Sequence, residues 1–191
     1  MRCTPPAAPI CKPARVDAGA GLAALVRAYR LHNRLDSLDE LKFFREMPSL
    51  ELAIHHASLA INNREKRFGH QCRIPLAPLK RAKILLGAVS SHLESCRSFH
   101  DLHALLGSML SSVRGLGDLY IYDTALRLGS FLKLSPKHVY LHAGTRAGAR
   151  ALGLKLSEDF LRVTALPKTI QVLEPHEIED FLCIYKAHFA K

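Results

Sequence analysis

Read for apolar and polar positions alone, the chain has a helical period almost everywhere after Ala18. Leu22, Leu25, Val26 and Tyr29 recur at steps of three and four and mark a first helix. Ser37, with Glu40 three residues on, forms a capping box that predicts a helix over residues 38–47. Pro48-Ser49 opens another, with Leu52, Ala53, His56, Leu59 and Ala60 on one face. Residues 64–78 break the pattern with Gly69, Pro75 and Pro78 and read as a polar loop. A long helix is predicted over 79–95, and Ser98 caps the next, over 99–113. The apolar run resumes after Gly115-Leu116-Gly117 and continues to Leu132. Ser135-Pro136 predicts a further helix start, with Val139, Tyr140, Ala143, Ala147 and Ala151 inward and Gly153 as its stop. Residues 157–166 read as a short helix ended by Pro167, and residues 175–189 as the last. No segment alternates over a useful strand length, and no unit repeats. The expectation is an all-α helical bundle over residues 19–191, either one compact domain or two small lobes with a cleft. Residues 1–18 hold four prolines and no apolar stretch, and read as a flexible leader rather than a secretory signal.

Charge adds a direction. The 27 Lys and Arg against 17 Asp and Glu leave a formal charge of +10, and the distribution is uneven. Arg64, Lys66, Arg67, Arg73, Lys80, Arg81 and Lys83 meet a single acid, Glu65, and residues 124–157 hold six cations with no acid. The acids gather over 36–51 and 174–180, which predicts one basic face. Five cysteines without Cys-x-x-Cys spacing fit a reducing, cytoplasmic setting. The adjacent His55 and His56 point to different sides of a helix, and no metal-ligand spacing appears, so no metal and no other cofactor is expected. No run reaches the roughly 20 apolar residues of a membrane span. A monomer with no membrane partner is expected.

Two apolar helices joined by Gly115-Leu116-Gly117 leave bare N–H groups where the second helix begins. The dipole there favours an anion, and in so basic a chain the fitting anion is a nucleic-acid phosphate. An ordinary helix end, with Gly115 as its left-handed residue, uses the same glycines. The pattern over about 99–132 resembles the helix-hairpin-helix of DNA-binding proteins. The resemblance implies that Leu116 packs into the helix pair while the amides of Gly115, Gly117, Asp118 and Leu119 grip a phosphate of double-stranded DNA. From about Phe99 to Gly153 the order of elements also resembles the helix-hairpin-helix superfamily of DNA glycosylases. Leu119 stands where some members carry a catalytic lysine, which speaks against a lysine Schiff base there. Pro136-Lys137-His138 stands where the family aspartate falls.

Asp123 is the substitute carboxylate on this reading, an acid among Ile121, Ala125, Leu126 and Leu128. A structural ion pair with Arg127, four residues on, is the alternative. Asp118 is more simply a first-turn acid complementing the helix dipole. His138, His142 and Arg146 fall at steps of four on the predicted helix after Pro136, and Arg150 continues the row. His138 and His142 would position water or contact substrate, while Lys137, Arg146 and Arg150 meet phosphate. Small residues at 143, 144, 147 and 148 would let another backbone or a ligand approach. In the basic loop, His70 and Gln71 could contact a base edge or fill a gap, with Arg67, Arg73 and Arg81 on the backbone. A solvated polar face accounts for the same residues in both places.

The resemblance implies an enzyme that extrudes a nucleotide and cleaves the base–sugar bond through an oxocarbenium-like transition state. The layout is also similar to bacterial phage-defence glycosylases that remove glucosylated hydroxymethylcytosine from phage DNA, which would make the role antiviral. The alternative is a non-catalytic helix-hairpin-helix protein that only grips duplex DNA.

Overall fold

The structure is a computed structural model that describes residues 21–189, so the predicted leader and two of the cysteines lie outside the described residues. The chain is mostly helical. In order come α1 (Leu22–His32), α2 (Arg34–Arg45), α3 (Leu50–Leu59), α4 (Leu76–Ala88), α5 (Ser90–Ser95), α6 (Phe99–Leu110), α7 (Asp118–Leu132), β1 (His138–Tyr140), α8 (Ala143–Ala151), β2 (Phe160–Arg162) and α9 (Pro175–Phe189). It divides into two compact units, residues 38–135 and residues 21–37 with 136–189. Among the described residues no helix is long and apolar enough to cross a membrane.

In the first unit α3 packs on α4 and α7, and α6 on α7 and α4. Ser49 caps α3 by accepting from Leu52 N, and Ser98 caps α6 by accepting from Asp101 N, as their sequence positions predict. Ser37 does not cap: α2 begins three residues earlier and carries Ser37 inside it. The helix predicted over 79–95 starts at Leu76 and breaks at Val89 into α4 and α5. On α3 the buried face is Leu50, Ala53, Ile54, Ala57 and Ser58, while Leu52 is exposed. Helix α7 ends on Lys133 in the left-handed region, φ 60°, where Leu134 N donates to Gly129 O at 2.8 Å. A Cβ on Gly129 would lie 2.6 Å from Leu134 O, so the residue beneath this closing turn has to be glycine.

The second unit has its core around Tyr29, Val139, Ile178, Phe181, Leu182 and Tyr185. The mostly helical chain agrees with an all-α class, but here two local helix assignments are corrected. Residues 138–140 form a strand, paired antiparallel with 160–162 in the register Val139 to Leu161. Helix α8 starts only at Ala143, with His142 as its cap. The predicted helix over 157–166 is strand β2 followed by a 3₁₀ turn at 163–165. Each strand has three residues, too short for alternation to separate it from a helical turn. The small residues of α8 meet α9: a Cβ on Gly148 would overlap the Leu182 carbonyl oxygen, so the approaching partner is backbone.

Candidate active site

In the first unit the turn between α6 and α7 holds Gly115 at φ 97°, a conformation side chains rarely adopt, and Leu116 is buried beneath it. Gly117 is extended, with φ −112° and ψ 178°, and caps α7 without a side-chain hydrogen bond. A Cβ on Gly117 would meet nothing within 4 Å, so this corner is open. Gly115 lies against Pro78 of α4, whose side chain would be 3.6 Å from a Cβ there. The basic segment thus runs beside the turn. Arg73, Lys80, Arg81, Arg114 and Asp118 are exposed, and Leu119 is half-buried.

Five residues into α7, Asp123 faces the loop that precedes α4. Its Oδ2 accepts from Gln71 Nε2 at 2.7 Å and meets His70 Nε2 at 2.9 Å. Gln71 Oε1 in turn accepts from Arg127 Nη1 at 2.8 Å. Arg127 is buried, donates through Nε to Glu40 Oε1 at 2.6 Å, and lies with its guanidinium carbon 3.9 Å from the centre of the Phe68 ring. Since a guanidinium only donates, the Gln71 amide has one orientation: oxygen toward Arg127, nitrogen toward Asp123. An ionised Asp123 only accepts, so His70 carries its proton on Nε2. His70 Nδ1 is buried with no hydrogen-bond partner among the described residues. Arg67 Nη2 fixes the loop by donating to Gln71 O at 2.5 Å and Ile74 O at 3.1 Å.

The predicted Asp123–Arg127 pair therefore does not form directly. Arg127 has Glu40 and Gln71, and Asp123 has His70 and Gln71. The structure brings Asp123, His70 and Gln71 together, yet turns Gln71 inward with both ends of its amide in use, away from any base edge. Arg67 is half-buried and commits its Nη2 to loop carbonyls. Near the turn, Tyr120 donates to Ser58 O at 2.7 Å, and burial pushes its hydroxyl up to about 12. Lys83 Nζ lies 2.9 Å from His55 Nδ1, and burial, with Lys83 beside it, holds the His55 ring below the usual histidine range.

In the second unit the predicted row of His138, His142 and Arg146 is not one helix face. His138 is on β1, its ring stacked 4.7 Å from Phe160. His142 is buried at the start of α8: Nδ1 accepts from Gly144 N at 3.1 Å, while Nε2 donates to Glu179 of α9. Thr145 Oγ1 also donates to Glu179 Oε1, at 2.8 Å. With both ring nitrogens taken, His142 serves α8 and α9. Arg146 Nη2 pairs with Asp159 at 2.5 Å, and Lys137 and Arg150 are exposed.

Sequence reasoning missed Glu40, Phe68, Glu179 and the link from Gln71 to Arg127. The signal that pointed toward the first group was an acid and an arginine four apart inside an apolar helix, since both need buried partners. No protein-family model, curated protein or solved structure matches this chain.

Proposed function

We propose that this protein is a DNA-binding enzyme of the glycosylase type that extrudes a nucleotide and hydrolyses its base–sugar bond, with Asp123 as the reacting carboxylate. The observation that carries the reading is the seat of Asp123. It is 14 % exposed, five residues into the helix that follows the open glycine corner, and its Oδ2 is held by His70 and Gln71. A carboxylate so fixed opposes the positive charge of an oxocarbenium ion without having to reorganise. The corner at Gly117 and the exposed Arg73, Lys80 and Arg81 suit the phosphates of the duplex in a helix-hairpin-helix manner. In the reaction, the C1′–N bond breaks with its electron pair leaving on the base. The oxygen of a water adds to C1′, Asp123 accepts its proton with His70 alongside, and the departing base takes a proton from solvent. The water-positioning role that the sequence suggested for His138 and His142 passes here to His70.

One observation favours a second reading. The bonds that fix Asp123 also complete an internal network with Arg127 and Glu40, as a structural acid would, in a protein that grips duplex DNA without cleaving it. Single-turnover base release from unmodified duplex and from duplex carrying glucosylated hydroxymethylcytosine, with strand analysis after alkali, separates the two. Asp123→Asn is expected to slow release by about two to three orders of magnitude while duplex binding is kept. Near-normal release by the Asn variant removes Asp123 from the mechanism, and binding without release from any duplex favours the second reading.

A further inference from the structure

We infer that Gln71, backed by Arg127 and Glu40, is a positioning residue that holds the Asp123 carboxylate aimed, an inference that rests on Asp123 being the reacting carboxylate. Gln71 is 1 % exposed and Arg127 equally so, which removes both from contact with substrate. Hydrogen bonds run one way through the group: Arg127 donates to Glu40 and to Gln71, and Gln71 donates to Asp123. The positive end of this chain is thereby directed at the carboxylate through a neutral side chain, and each bond polarises the next.

The residue at this point has to accept at one end and donate at the other. A carboxylate would satisfy Arg127 and repel Asp123; an ammonium would do the reverse. The amide serves both. The main chain of Gln71 is held as firmly as its side chain, since its N–H donates to Phe68 O at 3.0 Å and its carbonyl accepts from Arg67 and from Ile74 N. The amide therefore cannot follow Asp123 if the carboxylate swings. Around the carboxylate the charged and titratable groups of this network are His70 and Arg67 from the loop, Arg127 from α7 itself and Glu40 from α2. Glu40 is already engaged by Arg127 and Arg67 by the loop carbonyls, so the groups that reach Asp123 through hydrogen bonds are His70 directly and Arg127 through Gln71.

The test is Gln71→Glu, which keeps the shape and changes only the charge. Two carboxylates in hydrogen-bond contact resist being ionised together, so the pair at positions 71 and 123 gives up its last proton at a higher pH than a carboxylate standing alone. The acid limb of the single-turnover rate profile is expected to move up by about one pH unit or more, with the rate recovering at higher pH and duplex affinity unchanged. A profile that overlays the wild type overturns the inference. Gln71→Met, whose circular dichroism spectrum and melting report folding, is expected to lower the rate about tenfold or more at every pH, as removing a positioning group does; a wild-type rate also overturns it. Should the wild-type protein release no base at all, the proposed function falls by itself. Carboxyl-carbon NMR titration then still decides the link: a raised last deprotonation in Gln71→Glu that disappears when Asp123→Asn is added upholds it, and no such rise overturns it.

Discussion

Each unit of this protein contains a histidine paired with a carboxylate, and the two pairs behave differently. His142 and Glu179 are 4 % and 5 % exposed, with both imidazole nitrogens and a threonine hydroxyl committed between α8 and α9. His70 and Asp123 are 22 % and 14 % exposed and share their contact with an amide; His70 belongs to the basic segment, and Asp123 stands on the helix that the open glycine corner begins. The same two functional groups thus hold helices together in one unit and make a candidate reaction centre in the other. What distinguishes them is whether every polar atom is spent inside and whether the surroundings offer a ligand anything to bind.

The comparison is broken most severely at Gly148. Gly148→Val should prevent the second unit from folding, because even a Cβ would overlap the backbone oxygen of Leu182. Overpacking against a main chain that cannot move exceeds the usual 1–3 kcal/mol, roughly, of a strained core. Loss of amide protection throughout α8 and α9 is the readout, with α6 and α7 still protected. Next comes His142→Ala, which leaves the buried Glu179 without its imidazole. It should cost about 3 kcal/mol in the stability of α8 and α9 and leave base release unchanged. A drop in release without a drop in stability would reverse the roles assigned to the two pairs.

A third test reads the surface of the first unit proposed to meet DNA. Changing Arg73, Lys80 and Arg81 to Gln should reduce the slope of log affinity against log salt by about one for each phosphate left without its cation. An unchanged slope moves the DNA elsewhere on the protein. The smallest effect concerns His176, at the start of α9. Burial holds its ring below the usual histidine range of about 6.5, against the pull of Glu177 and Glu174. The unfolded chain therefore takes up this proton first as pH falls, and the second unit should lose stability with acidification below about pH 6.5. One proton accounts for at most about 1.4 kcal/mol per pH unit. His176→Gln should flatten that slope in hydrogen exchange of α9, while the first unit shows no change.

Much of the helical framework was legible, because apolar spacing and caps act locally. The bounds of α9, the cap of α6 and the start of α7 after Gly117 follow from such signals. The region after Ser135 was not. Its apolar residues at 139, 140 and 143 satisfy a helical period, and a three-residue strand is decided by a partner twenty-two residues later, Leu161 opposite Val139. The same distance effect governs the candidate site. Asp123 stood out as an acid in an apolar helix, whereas its donors come from 52 and 53 positions away and the anchor of Arg127 from 87. Burial of Gln71 and His142 depends on those distant partners, so their chemistry alone suggested an exposed role that the packed chain does not give them.

The division of the chain has a consequence for synthesis. Among the described residues the first unit is continuous over 38–135, while the second is assembled from a leading segment, 21–37, and a trailing one, 136–189. On the ribosome the first unit has its whole sequence available before β1 has been made. Helix α1, whose Tyr29 ring packs on Phe181, must wait several seconds at ordinary elongation rates for its partner to emerge. During that interval Leu25, Val26 and Tyr29 have no core to enter, which makes this nascent helix the segment that a chaperone would be expected to hold.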